Sequence, residues 1–119
     1  MATWQAAKKA VERRFCDRCS VTEYHTETTA WGEDRFVLEE PYEMVCRLVE
    51  AGEGTELEGL LAYGQKEAIL LYPAEEWIGP GSQVEVTKKS GRVAVFYTAG
   101  ESVDYQTHRE AVLTSRSPF

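Results

Sequence analysis

The pattern of apolar and polar positions changes once along the chain, near residue 20. Before that point, apolar side chains recur at the spacing of one helical face, basic residues occupy the other side, and Thr3 is a candidate N-cap. The apolar stripe consists of Trp4, Ala7, Val11 and Phe15. This pattern predicts an amphipathic helix over residues 4–16. Because so short a helix is marginal alone, its stripe requires a docking surface on this domain's sheet or on another subunit.

After residue 20 the apolar positions alternate with period two, and the residue types are those enriched in β-strands. The predicted strands cover residues 21–29, 36–48 with an interruption near Pro41, 67–72, 83–87, 92–98 and 105–113. Short turns separate the later strands. The predicted fold class is therefore mainly β, a small antiparallel β-barrel or sandwich of about six strands with one N-terminal α-helix.

The length of 119 residues and the hydrophobic fraction of 43% predict a single domain with one core. Within it we expect an N-terminal helix segment over 1–19, a β-barrel over 20–113 and a flexible tail over 114–119. Residues 51–64 contain four glycines and three glutamates around three leucines, which predicts a long loop between strands.

The net charge of −7 is unevenly distributed along the chain. Residues 1–20 carry five basic and two acidic side chains, whereas residues 23–67 carry twelve acidic and three basic ones. Such a chain does not wrap nucleic acid through its general surface, because that affinity requires many cations near phosphates. No apolar run is long enough to cross a bilayer and no signal-like stretch follows Met1, so we expect a cytoplasmic product without membrane contact.

Three cysteines carry the main candidate metal chemistry. Cys16 and Cys19 have a CxxC spacing that suits Zn²⁺, but a structural zinc site needs four ligands and no second such pair is present. Cys46, with a histidine, would have to complete the set. We instead interpret Cys19 and Cys46 as small core residues with Cys16 as their neighbour, and expect no metal and no cofactor.

Catalytic signatures are weak. His25 and His108 are the histidines of the chain, and no GxSxG or phosphate-binding glycine loop accompanies them. His108 and Glu110 lie two apart on a predicted strand and so share a face, which favours a structural or interface role over general-base chemistry. We therefore expect no catalytic residues and no enzyme.

A set of motifs runs in order through residues 67–113. They are Ala68-Ile-Leu-Leu-Tyr-Pro, Trp77-Ile-Gly-Pro-Gly-Ser-Gln-Val-Glu-Val-Thr, Gly91, Phe96-Tyr97, Gly100 and Tyr105-Gln-Thr-His-Arg-Glu. This order resembles the head-tail joining proteins of tailed phages and prophages, also termed minor capsid, head-closure or stopper proteins. Cys16, Cys19 and the acidity of residues 23–67 depart from the family's pattern.

The resemblance implies a structural virion protein without catalytic residues that closes the head after DNA packaging. It implies a ring of about twelve copies between the portal-adaptor complex and a tail-terminator or tail-completion protein, around double-stranded DNA that is not bound sequence-specifically. The expected location is the virion head-tail interface, after assembly in the bacterial cytoplasm.

The resemblance also implies candidate site residues. The candidate channel or plug loop comprises Gly52, Glu53, Gly54, Glu56, Leu57, Glu58, Leu60 and Leu61. The candidate interface comprises Trp4, Val11, Phe15, Trp77, Tyr105, His108 and Glu110.

Two alternatives remain open at this point. One is a small SH3-like barrel that binds a peptide or basic partner through Trp31, Trp77 and neighbouring acids. The other is a zinc-dependent interaction domain that uses Cys16, Cys19 and Cys46.

Overall fold

The computed structural model of the chain describes residues 3–50 and 68–117. These residues form one helix and nine strands. Their bounds are α1 Trp4–Glu12, β1 Asp17–Thr22, β2 Tyr24–Thr28, β3 Asp34–Leu38, β4 Tyr42–Glu50, β5 Ala68–Tyr72, β6 Gln83–Thr87, β7 Val93–Thr98, β8 Val103–Asp104 and β9 Arg109–Thr114.

Six strands close into an antiparallel barrel in the order β5-β4-β1-β6-β7-β9, and β9 pairs back with β5. The closing seam places Leu70 of β5 opposite Leu48 of β4 on one side and Ala111 of β9 on the other. The short β8 pairs with the start of β9, at Arg109 and Glu110, which β7 does not reach, while β2 and β3 form a separate two-stranded hairpin. The predicted mainly β fold, a barrel of six strands with one N-terminal helix, is confirmed.

The barrel forms because each strand sends alternate side chains to its interior. In β6, for example, Val84 and Val86 are fully buried while Glu85 and Thr87 face solvent. The interior residues are Cys19, Val21, Met44, Cys46, Leu48, Ala68, Leu70, Tyr72, Ile78, Val84, Val86, Phe96, Ala111 and Leu113. One continuous apolar core therefore fills the barrel.

The N-terminal helix is shorter than the sequence predicts. Thr3 caps it as expected, because its hydroxyl accepts a hydrogen bond from the backbone N–H of Ala6 at 3.3 Å. The helix ends at Glu12 rather than at residue 16, because Asp17 already pairs with Cys46 in the barrel. The chain turns through residues 13–16 to make that strand pairing.

The region between residues 21 and 50 also differs from the prediction of two strands, since it contains four. The chain leaves the barrel at Glu23, whose carboxylate accepts hydrogen bonds from the Gly79 N–H at 3.1 Å and the Tyr42 hydroxyl at 3.0 Å. Gly32, with φ of +84°, lies in the turn between β2 and β3, where the chain reverses direction. The result is a β-hairpin outside the barrel, formed by β2 and β3.

The last predicted strand, over residues 105–113, begins later in the structure, where β9 starts at Arg109. Gln106 has φ of 56°, and the chain turns there between β8 and β9. A non-glycine residue in this left-handed region favours a turn over a continuous strand.

Candidate interaction surface

Helix α1 presents most of its apolar stripe to solvent. Trp4 is 48% exposed, Ala7 is exposed, Val11 is half-buried, and no residue of the helix is fully buried. Phe15, which follows the helix, is buried, so it supports the helix-strand junction and is not available for contact in this chain. The accessible part of the predicted stripe is therefore Trp4, Ala7 and Val11.

A groove of about 410 Å³ separates the helix from the outer face of the barrel. Its floor is built by Arg47, Leu71 and Glu110, which lie side by side across β4, β5 and β9. Val11 and His108 also line it. Barrel closure thus brings Val11, a predicted interface residue near the start of the sequence, close to two others near its end, His108 and Glu110.

His108 is held on both sides of its ring. Nε2 lies 2.8 Å from Glu110 Oε2, and Nδ1 lies 2.9 Å from the Thr107 hydroxyl. The half-exposed Tyr105 ring stacks on the imidazole, with ring centres 5.3 Å apart and planes 12° from parallel. Because both nitrogens are engaged within the turn, this geometry favours a structural role for His108 over proton transfer to an outside group.

The indole of Trp77 is partly exposed, and the guanidinium of Arg109 lies over its ring. Trp77 is 48% exposed, and the Arg109 guanidinium lies 5.0 Å from the centre of its ring. Arg109 is itself fixed, because its Nε donates to the Ala74 carbonyl at 3.0 Å and its terminal nitrogen lies 3.5 Å from Asp104. The loop before β6 and the start of β9 therefore share one surface with Trp77 at its centre.

The β2–β3 hairpin is the surface that the sequence reasoning missed. Trp31 at its tip is 78% exposed and Leu38 is 62% exposed; Phe36 is also exposed. Trp31 entered the predictions only through the SH3-like alternative, and Leu38 only as part of a strand. The available signal was the pair of β-branched or aromatic stretches on either side of Gly32, which is typical of a hairpin.

One face of the hairpin carries a network of ionisable groups. His25 lies 3.0 Å from Glu27 and 3.2 Å from Glu39, and Arg35 lies 3.4 Å from Glu27. The hydrogen bond to Glu27 raises the pKa of His25 above its ordinary value, and the same hydrogen bond lowers the pKa of Glu27. This attraction therefore stabilises the hairpin between the lowered pKa of Glu27 and the raised pKa of His25, and it is lost as pH rises through the folded-state pKa of His25 or falls through that of Glu27.

Replacing Glu27 by Gln is expected to lower the pKa of His25, because the strongest partner of the imidazolium is removed. The pH dependence of the His25 ring signals in NMR measures this directly. Asp34→Asn is the matched control, since Asp34 bonds the Thr28 hydroxyl instead of the imidazole and should produce a smaller shift. Equal shifts in the two variants would contradict the proposed pairing.

The two appended elements carry opposite charge. Residues 23–40 contain six acidic side chains and one basic one, a balance of −5. On helix α1, Lys8 pairs with Glu75 of the loop after β5 and Lys9 is exposed, as is Arg13, which caps the C-terminal end of the helix. The acidic hairpin and the basic helix therefore carry electrostatic potentials of opposite sign.

The positions of the cysteines agree with the interpretation of Cys19 and Cys46 as core residues and of Cys16 as their neighbour. Cys19 and Cys46 are buried, Cys16 is exposed, and all three are free. The hydrogen bond shared with Cys19, together with burial, raises the pKa of the Cys46 thiol. Among residues 3–50 and 68–117, no group of three or more potential metal ligands converges.

The candidate plug loop, residues 52–61, lies outside the described residues. Within the part of the chain that is described, helix α1 falls short of the length and apolarity that a bilayer-crossing helix requires.

Comparison with known proteins adds one fold-level similarity. No family model matches the chain, and no curated protein does. The fold is similar to the solution structure of protein SF1141 from Shigella flexneri 2a, with a TM-score of 0.60 and 14% identity, over 82% of this chain and 88% of that chain. At this level of identity the similarity establishes a common fold and carries no argument about function.

Proposed function

We propose that this chain is a structural head-tail joining protein of a tailed phage or prophage. In this role it forms a ring of about twelve copies beneath the portal-adaptor complex, keeps packaged DNA in the head and offers a platform to the tail. The observation that carries the proposal is a closed barrel with two elements outside it, helix α1 and the β2–β3 hairpin, which both hold apolar side chains in solvent.

These elements support an assembly role because exposed apolar side chains on appended segments mark contact surfaces. The barrel itself is complete, since its six strands pair in a closed circle and its interior is filled. Neither element is needed to close that core. A partner that covers Trp4 and Trp31 would supply the burial that the barrel does not give them.

The motifs behind the family resemblance also have a structural counterpart. The Gly79–Ser82 connection is held against the end of β7, because Thr98 Oγ1 accepts from the Ser82 N–H at 2.9 Å and donates to the Gly79 carbonyl at 2.8 Å. These residues build one corner of the barrel. This corner lies between β5 and β6. The order of the motifs therefore supports a barrel of the head-tail joining type.

The charge is also consistent with a conduit for DNA. An acidic surface repels the phosphate backbone, so a duplex can pass without being gripped. The proposal places the mature protein at the head-tail interface of the virion, and the newly made protein in the bacterial cytoplasm.

The test uses phage particles assembled without this protein. We expect heads that package DNA, lose it on release from the cell and fail to join tails. Adding purified wild-type protein to freshly filled heads should restore tail joining and infectivity. Particles that lack the protein yet retain DNA and join tails would overturn the proposal.

A second candidate is a binding module for a basic protein partner. The observation in its favour is Trp31, which is 78% exposed and lies next to Glu33 and Asp34 at the hairpin tip. A defined complex with one basic protein from the host, with no ring on filled heads, would favour this module over head-tail joining.

A further inference from the structure

We propose that the ring is built by a head-to-tail contact in which the β2–β3 hairpin of one copy docks on helix α1 of the next copy. The inference rests on the proposed function, which requires a ring, and it names the surfaces that would form it. Each copy would use two different surfaces, one as donor and one as acceptor.

Helix α1 has the composition of an acceptor. Trp4 and Ala7 form an exposed apolar strip, and the exposed Lys9 and Arg13 place positive charge on the other side of the helix. A helix of nine residues is marginal in water unless its apolar face is covered. Its tie to the barrel through Lys8 and Glu75 orients the helix and leaves that strip open.

The β2–β3 hairpin has the composition of a donor. Trp31 and Leu38 are more than half exposed, and Glu33 and Asp34 lie beside the tip. A two-stranded hairpin is marginally stable alone, so a neighbour that covers its apolar side chains would also order it. Its base is fixed to the barrel, because the Tyr24 hydroxyl donates to Gln83 at 2.9 Å.

A second copy of this chain is the occupant that explains both surfaces at once. DNA would neutralise the basic helix but leave Trp31 and Leu38 in water. A basic protein partner would cover the acidic hairpin but leave Trp4 in water. A neighbouring copy brings an acidic, apolar hairpin to a basic, apolar helix, and a contact between two different surfaces generates a closed ring when the rotation between copies closes.

Self-association of the free protein tests this contact. The helix variant combines Trp4→Ala with Arg13→Glu, and the hairpin variant combines Trp31→Ala with Glu33→Lys. Sedimentation equilibrium should run to about 1 mM, because small transient interfaces can be that weak. We expect the mean mass of wild type to rise with concentration, and each variant to associate at least about tenfold more weakly.

The decisive sample is an equimolar mixture of the two variants. The helix variant keeps an intact hairpin and the hairpin variant keeps an intact helix, so the pair should form one contact and stop at a dimer. The matched control combines Val95→Ala with Glu85→Lys, an exposed apolar and an exposed acidic position that lie opposite each other on β7 and β6, outside the proposed contact, and should associate like wild type. Unchanged far-ultraviolet circular dichroism and a cooperative thermal transition show that each variant is folded.

Three results would overturn the contact. These are a wild type that stays monomeric across the series, a mixture that does not dimerise, and a control that loses association as the variants do. Head completion is measured separately. If the helix and hairpin variants complete filled heads as well as wild type, this contact is wrong and the proposed function stands, whereas a wild type that cannot complete them removes the proposed function.

Discussion

Replacing Tyr72 by Ala is expected to lower the free energy of unfolding by about 3–5 kcal/mol, the usual cost of removing a buried aromatic ring. Tyr72 is fully buried inside the barrel, and it is the largest of the fully buried side chains in the described residues. Its hydroxyl also accepts a hydrogen bond from the Ile78 N–H at 3.3 Å. The substitution therefore leaves a cavity and an unpaired buried donor.

Urea denaturation followed by circular dichroism measures this loss. Tyr72→Phe is the matched control, because it keeps the ring and removes only the hydroxyl, which should cost about 1 kcal/mol. Since small domains are stable by about 5–15 kcal/mol, the Ala variant should be close to unfolding at moderate temperature. An Ala variant as stable as the Phe variant would contradict the packing described for the barrel interior.

Replacing Asp17 by Ala is expected to cost about 2–4 kcal/mol, because two backbone donors lose their acceptor. The buried Asp17 carboxylate accepts from the Leu48 N–H and from the Lys89 N–H, both at 2.9 Å. It thereby joins β1 to β4 and to the turn after β6.

Asp17→Asn separates the geometry from the charge, since the amide oxygen can still accept while its NH₂ group cannot. We expect it to lose part of the stability that Asp17→Ala loses. Glu85→Ala removes an acid from an exposed strand position and should stay within about 0.5 kcal/mol of wild type. Equal stabilities for Asp17→Ala and Glu85→Ala would show that the Asp17 hydrogen bonds contribute nothing.

The local sequence pattern was sufficient to predict the bounds of a strand where that strand had one buried face and clear ends. Residues 83–87 form β6 with the predicted bounds, because Val84 and Val86 alternate with polar residues directly after the Gly-Pro-Gly-Ser connection. The barrel class followed from several such segments. Their pairing order did not, because the closure between β5 and β9 joins positions about 40 residues apart and leaves no trace in either strand alone.

The errors in the element bounds have a common cause. Asp17 starts β1 because of partners at Leu48 and Lys89, and the chain leaves the barrel at Glu23 because of partners at Tyr42 and Gly79. A helical or alternating pattern contains no information about such distant partners.

The candidate surface shows the same limit of local reasoning. Trp4 was predictable from its helical spacing, yet its exposure depends on how the chain turns after Glu12. Likewise, Val11 and Glu110 face one groove only because the barrel closes beneath the helix. The exposed tip of the hairpin was missed because its strands were interpreted as parts of the barrel.

The position of β1 has a mechanical consequence. Helix α1 is attached to the start of β1, and β1 is bonded on both sides, to β4 and to β6. A force that pulls the helix along this strand loads two ladders of hydrogen bonds in shear, so many bonds must break together. A strand bonded on one side, as β8 is, would instead peel away bond by bond. Tension applied through the helix is therefore borne by a strand that is anchored on both sides within the closed barrel.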